Sequence, residues 1–342
     1  MRKHPFWSLL IFFTLIFSIR LTSHAQEMEY QSFDEVQTQI NKLETAKDYA
    51  GAIEFIDSVK NNFPENEFEV ILEKAYCNLK LKNYDKSMDL WEEGHSKGYF
   101  FLLRTRNPNY ADIRESERFK NICDKDDELR KEVIGKSKTI YEVKLPKDYS
   151  EDKSYPMFFI LHGGGRDLNS PKEFWISKTL NDNFIVVYLQ SYLYYTSRSY
   201  GWANHDLRAE EDIKNIFDEI ISQYKVDTKN VWMGGISAGG SAAFDIGLIN
   251  PVIPLKGIIA ICPAIEGKDF TTGQVAELKE KNIDLNIITG ENDWGLERQK
   301  QVMQMLDDAG VNYTVTIIPG MGHEYPPDFP TRLENILSEL QF

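Results

Sequence analysis

The stretch Gly234-Gly235-Ile236-Ser237-Ala238-Gly239-Gly240 sets four glycines around one serine. It follows the apolar run Val231-Trp232-Met233 and precedes Ala242, Ala243, Phe244, Ile246 and Leu248, which have helical spacing and stop at Asn250-Pro251. Val231 to Gly234 is therefore expected as a strand and Ala238 onward as a helix, with the G-x-S-x-G of Gly235 to Gly239 turning between them. A strand that reverses straight into a helix forces the middle residue into strained backbone angles. Its neighbours two positions away must be nearly free of side chain. In return the Ser237 hydroxyl stands clear above the sheet, with a helix N-terminus behind it. The competing reading is a structural glycine turn that merely contains a serine.

A serine hydroxyl attacks a carbonyl only when a base removes its proton, and histidine has the suitable pKa. Of six histidines, His4 and His24 lie in the N-terminal segment, His95 in a helical half, and His205 in a polar loop. His162 opens a glycine run and reads as a brace for it. Only His323, in Pro319-Gly320-Met321-Gly322-His323-Glu324, is both C-terminal to Ser237 and on a loop just past the last apolar run. The imidazole needs a carboxylate to fix its tautomer. Asp293, at the end of Gly290-Glu291-Asn292-Asp293, is the first candidate and Glu291 the second; the bland alternative is a turn-forming Asx residue. Leu161-His162-Gly163-Gly164-Gly165 follows another apolar run, where a backbone N–H of Gly163 or Gly164 would join that of Ala238 in an oxyanion hole.

These groups need a scaffold. Met157 to Leu161, Phe184 to Leu189, Gly257 to Ile261, Ile283 to Ile288 and Val315 to Ile318 are short unbroken apolar runs, as in strands buried on both faces of a parallel sheet. Between them fall helical periods: Ile213, Ile216, Phe217, Ile220, Ile221 and Tyr224, then Leu333, Ile336, Leu337 and Leu340. The alternation predicts an α/β fold, a mostly parallel sheet with helices on both faces, over residues 136–342, with functional residues beyond the carboxyl ends of its strands.

Residues 26–135 have a different rhythm, helical and polar. Lys47-Asp48-Tyr49 with Ala52 recurs as Lys82-Asn83-Tyr84 with Ser87, 35 residues on, and Pro64 closes the first unit. This resembles one or two degenerate tetratricopeptide repeats, a small all-α domain that would dock on the second half. Ahead of it, Arg2 and Lys3, an apolar run from Phe6 to Ile19 and the small residues Ser23 and Ala25 read as a signal peptide over residues 1–25, hence export to the periplasm or medium without stable membrane insertion after cleavage. A net charge of −14 argues against nucleic acid as a partner. Three cysteines, Cys77, Cys123 and Cys262, cannot all pair, and their spacing suggests no metal site. Cys77 and Cys123 share the helical half and are close enough in sequence to bridge; buried free thiols are the simpler expectation.

The order Ser237, Asp293, His323 together with His162-Gly163-Gly164 resembles the α/β-hydrolase superfamily, over about Thr139 to Phe342. Tyr141-Glu142-Val143-Lys144-Leu145-Pro146 and Tyr155-Pro156 are similar to the opening of secreted esterases of the feruloyl, acetylxylan, polyhydroxybutyrate depolymerase and carboxylesterase groups. The resemblance implies cofactor-free hydrolysis of carboxylic esters through an acyl-enzyme, acyl groups on carbohydrate among the candidate substrates. Peptidases of the prolyl-oligopeptidase type share the layout but carry a β-propeller where this chain has helices. A helical-repeat binding protein with an inert hydrolase half is the third reading, and the helical half is a candidate surface for a protein partner. Five aromatics, among them Tyr194, Tyr195 and Trp202, crowd the loop after Leu189, and Trp294 follows the candidate acid. These four are expected to stack on substrate, the alternative being that the rings pack the loop onto the sheet.

Overall fold

The computed structural model describes residues 30–249, 252–281 and 283–340; the expected signal peptide over residues 1–25 lies outside them. Five helices come first: α1 (Phe33–Thr45), α2 (Tyr49–Val59), α3 (Glu67–Lys80), α4 (Tyr84–Ser96) and α5 (Glu117–Lys136). The first four form two helical hairpins of matching design, and α5 packs beside α4. Lys47 (φ 59°) and Lys82 (φ 62°) turn each hairpin in the left-handed region, and Asp48 and Asn83 follow as N-caps. The Asp48 carboxylate accepts the Gly51 N–H at 2.9 Å, the usual use of aspartate at that position. Phe68, Ile71, Trp91, Phe101 and Phe119 fill the larger core of this region; Val36, Ile40, Ile56 and Phe63 fill a smaller one. Cys77 and Cys123 are buried and unpaired.

The chain between α4 and α5 is irregular, and Leu102 adopts φ 58° there. It is held from α5 by Asp126, whose fully buried carboxylate accepts the N–H groups of Phe101 (2.7 Å) and Leu103 (3.1 Å) and meets His95 Nε2 at 3.0 Å. A buried carboxylate needs such partners.

Strands β1 (Ile140–Lys144), β2 (Tyr155–Leu161), β3 (Ile185–Gln190), β6 (Val226–Ile236), β7 (Leu255–Ile261), β8 (Asp284–Gly290) and β9 (Tyr313–Ile318) form one sheet in the order β1-β3-β2-β6-β7-β8-β9. All neighbours are parallel except β1, which runs antiparallel to β3 at the edge. Strands β4 (Leu193–Thr196) and β5 (Ser199–Gly201) make a separate hairpin. Successive residues of β2 enter opposite layers, which is why its run is apolar without alternation: Met157, Phe159 and Leu161 pack with α7 (Leu207–Gln223), α8 (Ala238–Phe244), α9 (Thr272–Lys281) and α10 (Leu296–Ala309), whereas Phe158 and Ile160 pack with α6 (Lys178–Asn183) and α11 (Phe329–Ser338). The helix expected to run on through Leu248 instead widens after Phe244 into a π turn, Asp245–Ile249.

The chain leaves β2 for β3 on one side and returns to β6 on the other. The crevice at the carboxyl ends of β2 and β6 is therefore the topological switch point, where an open α/β sheet places its ligand. With the strand-to-helix turn at Ser237 and the glycine loop after β2, this is an α/β-hydrolase fold.

Asp126→Ala strands two buried N–H groups, each worth about 1–3 kcal/mol when left unpaired. A loss of about 3 kcal/mol is expected in the urea unfolding of the full chain, and an unchanged midpoint would contradict the clamp.

Candidate active site

The site begins with crowding between two backbones. At Gly235 an added Cβ would lie 2.6 Å from the Leu161 carbonyl oxygen, and at Gly239 2.4 Å from that of His162. No side chain fits at either position, so the turn after β6 can nest against the end of β2. Between them Ser237 takes φ 54° and ψ −119°, a conformation that costs about 1–3 kcal/mol. Hydrogen bonds hold it there: its N–H donates to Ile261 O at 2.9 Å, and its carbonyl accepts from Ser241 N (2.9 Å) and Ser241 Oγ (3.0 Å).

Three strand ends then converge. His323 Nε2 lies 2.8 Å from Ser237 Oγ, and its Nδ1 lies 3.1 Å from both carboxylate oxygens of Asp293. The loop carrying His323 is seated directly on the end of β8, because Gly290 has no side chain: a Cβ there would be 2.1 Å from Met321 O. Asn292 N–H donates to Met321 O at 2.8 Å, and Glu291 accepts the Gly320 N–H at 2.9 Å. Glu291 thus braces the turn of the loop while Asp293 meets the imidazole.

Burial pushes the Asp293 carboxyl up, but the Gly295 N–H (2.6 Å), the Cys262 thiol and His323 outweigh it and leave the group below the ordinary carboxylate range. Thr289 Oγ1 (3.2 Å) and Gln299 Nε2 (3.4 Å) complete its shell. The arrangement can move a proton from Ser237 Oγ to an imidazole whose Nδ1–H is fixed by an ionised partner.

The glycine loop supplies donors. His162 Nδ1 donates to the Gly163 carbonyl (2.7 Å), Nε2 accepts the Ser191 N–H (3.3 Å), and the Trp202 indole N–H donates to the His162 carbonyl (3.1 Å). The Gly163 carbonyl also accepts from Arg166 N–H at 3.3 Å. In a trans peptide the next N–H, that of Gly164, faces the opposite way, and among the described residues it has no acceptor. The Ala238 N–H is likewise free, being the first of helix α8. Gly164 sits against Ala238: a Cβ on it would touch the Ala238 Cβ at 3.6 Å. Two unpaired N–H groups flank Ser237, as an oxyanion would require.

A cleft of about 440 Å³ opens over these groups and includes Gly163, Gly164, Ser237 and His323. Its walls come from a segment the sequence did not single out: Arg166, Ser170, Glu173 and Phe174 after β2, with Tyr325 and Glu324 after His323. Phe174 and Tyr325 are stacked, ring centroids 4.1 Å apart. No spacing pattern marks this loop; only its place after the glycines does. None of the four aromatics expected on substrate lines this cleft. Trp202 is buried on the His162 ring (5.3 Å), Tyr194 packs between Phe100 and Tyr200, and Tyr195 lies behind Gly164. Trp294 is 60% exposed and covers the His323 ring from outside at 4.7 Å, with Arg298 over its other neighbourhood at 4.8 Å. Sequence reasoning also passed over Cys262, whose strained backbone (φ 43°) puts its thiol 3.5 Å from Glu324 O. Burial and the neighbouring Asp293 carboxylate push that thiol up to about 12.

Among the described residues one group has the composition and proximity of a metal site: Cys262, Asp293 and His323, ligand atoms within 4.8 Å of one another. Each is already engaged, the imidazole with the carboxylate and the thiol with backbone carbonyls.

No family model matches the chain, and no curated protein does. Solved structures similar to it include an uncharacterized protein from Bacillus cereus ATCC 10987, at 20% identity and TM-score 0.49, covering 90% of this chain and 98% of that one. A ferulic acid esterase follows at 19% identity and TM-score 0.48, covering 60% of this chain and 92% of the other. An S-formylglutathione hydrolase from Staphylococcus aureus has 15% identity and TM-score 0.44, with 58% and 91% covered.

His162 yields a pH test. Burial lowers its pKa from 6.5 to about 4. The unfolded chain therefore binds a proton that the folded one refuses between those values, so stability is full above pH 6.5 and falls as pH drops towards 4. The loss attributable to this residue is about 3 kcal/mol. His162→Asn offers a similar donor and acceptor without the titration, and its pH 7 to pH 4 slope should be flatter by that amount; equal slopes would mean His162 is not held neutral.

Proposed function

We propose that the protein is a serine hydrolase of carboxylic esters. The observation that carries the reading is the line Asp293–His323–Ser237, at 3.1 and 2.8 Å, ending beside two unpaired N–H groups in an open cleft. Ser237 Oγ attacks the ester carbonyl as His323 Nε2 takes its proton, and the N–H groups of Gly164 and Ala238 receive the oxyanion. His323 returns the proton to the leaving alkoxide. A water, deprotonated by the same imidazole, then releases the acid from the acyl-enzyme and regenerates Ser237. No step calls for a cofactor.

The cleft supports a compact substrate. Its volume suits a short acyl or single-ring group, the stacked Phe174 and Tyr325 offer an aromatic wall, and Arg166, Glu173 and Glu324 make the rim polar. An acyl group borne on a carbohydrate fits that mixture. The protein acts outside the cytoplasm, exported by its first 25 residues, and the tetratricopeptide-like hairpins stay attached to the catalytic half.

Ser237→Ala is expected to lower kcat on p-nitrophenyl acetate by about 10⁶-fold, as removal of a triad nucleophile does elsewhere. Retained turnover would end the reading. A fluorophosphonate should label the wild type at Ser237 and leave the variant unlabelled; an unlabelled wild type would point instead to an inert scaffold. Faster cleavage of peptide anilides than of acetyl or feruloyl esters would make it a peptidase.

A further inference from the structure

The helical half touches the hydrolase at more than one place, the end of α5 against Arg208 among them, and near the glycine loop the contact runs through the β4–β5 hairpin. At the hairpin tip, Ser197 N–H donates to Phe100 O at 3.0 Å and the Phe100 N–H donates to Ser197 Oγ at 2.8 Å. Arg198 donates to the Glu65 carbonyl at 3.2 Å, and the Phe100 ring meets that of Tyr194 at 6.0 Å. Phe100 belongs to the irregular segment that Asp126 clamps, so the docking point is itself fixed.

At its other end the hairpin holds the loop after β2. The Gly165 N–H donates to Tyr200 O at 2.7 Å and the Tyr200 N–H to Arg166 O at 3.0 Å, a single antiparallel bridge between the loop and β5. The register slips between Tyr194 and Thr196, so Tyr195 is the extra residue of a bulge. Bulges re-aim side chains. This one lays the Tyr195 ring across Gly201, where a Cβ would fall 2.0 Å from it, and against Gly164, where a Cβ would lie 3.5 Å away. Tyr195 and Ala238 thus both border the side of Gly164 on which a Cβ would stand.

We propose that the helical half is a positioning element for ester hydrolysis: through the β4–β5 hairpin, which is hydrogen-bonded to Gly165 and Arg166 and sets the Tyr195 ring beside Gly164, it fixes the Gly164 N–H at the oxyanion. A two-stranded hairpin this short does not hold its shape alone. Its supports are the glycine loop, the hydrolase core on which Leu193 packs, and the helices, which alone of these lie outside the hydrolase half. Tyr195, Ser197 and Arg198 act through Gly164 and touch no reacting atom. The inference rests on the serine-hydrolase reading above.

The test uses the full chain and two readouts, kcat on p-nitrophenyl acetate and the Ki of a small trifluoromethyl ketone, whose adduct with Ser237 puts an oxyanion beside Gly164. Tyr195→Ala should lower kcat and weaken Ki by the same factor, about 10- to 100-fold, with KM nearly constant. Ser197→Ala combined with Arg198→Ala, which loosens only the exposed tip, should move both readouts together by about 3-fold or more. Tyr195→Phe keeps the ring and should restore the wild-type values. Partial unfolding would lower the fraction of enzyme labelled by fluorophosphonate without moving Ki. Unchanged Ki and kcat in Tyr195→Ala would overturn the proposal, and so would a tip variant indistinguishable from wild type. If instead the wild type fails to bind the ketone and Ser237→Ala retains its turnover, it is the serine-hydrolase reading that has failed.

Discussion

Everything in the cleft depends on how closely the end of β2 approaches the turn after β6. Gly235 and Gly239 leave space for the Leu161 and His162 carbonyls and for nothing more. That nesting forces Ser237 to a positive φ, and it also carries the glycine loop to Ala238, so nucleophile and oxyanion donors are placed by one steric fact. The strain at Ser237 persists because the hydrogen bonds to Ile261 and Ser241 and the sheet itself over-determine the turn. A larger residue at either glycine would separate the two strand ends and relieve the strain, and the hydroxyl and the free N–H groups would part company.

The same logic of backbone on backbone governs the acid and the base. Gly290 lets the His323 loop rest on β8, so the imidazole's height above the sheet is set by main-chain contact rather than by a long side chain. Asp293 is buried, which by itself pushes its pKa up. Hydrogen bonds from the Gly295 N–H, Thr289 and Gln299, with the His323 imidazole beside it, favour its ionised form. An anion held this way by neutral donors can stabilise a nearby imidazolium without collapsing onto a competing cation. Arg298, the nearest guanidinium on α10, is occupied by Glu266 and the Trp294 face instead.

Much of the fold was legible because its signals are local. Unbroken apolar runs marked β2, β3, β7, β8 and β9 to within a few residues, and Ile213 to Tyr224 marked α7. Strand β1 was harder: Ile140–Lys144 lies at the edge, alternates in burial and contains Glu142 and Lys144, so it reads as polar chain. The positions of Ser237, Asp293 and His323 at strand ends follow from motif and order. What lay hidden was non-local. Whether Trp202 meets a substrate or a backbone carbonyl depends on where His162 O ends up, and no period in the sequence encodes that. The aromatic loop after β3 looked like a cleft wall because aromatics in polar surroundings often are; a bulge at Tyr195 turned it into the back of the oxyanion loop instead. The walls that do line the cleft, Arg166 to Phe174, carry no periodicity at all.

His162 shows how these layers join. Its ring links three segments that are distant in sequence: its own loop through Gly163, the end of β3 through Ser191, and, through its carbonyl, Trp202 beyond the hairpin. The roles of its two nitrogens are complementary, one donating and one accepting, so only the neutral Nδ1–H tautomer satisfies both. A protonated ring would face the Ser191 N–H with a second donor and lose that bond. Because the Gly163 carbonyl is claimed by this ring, the peptide plane is fixed and the Gly164 N–H is left facing the cleft unpaired. Desolvation of one histidine therefore does two things at once: it keeps the ring neutral, and in keeping it neutral it holds the Gly163–Gly164 peptide in place through its carbonyl.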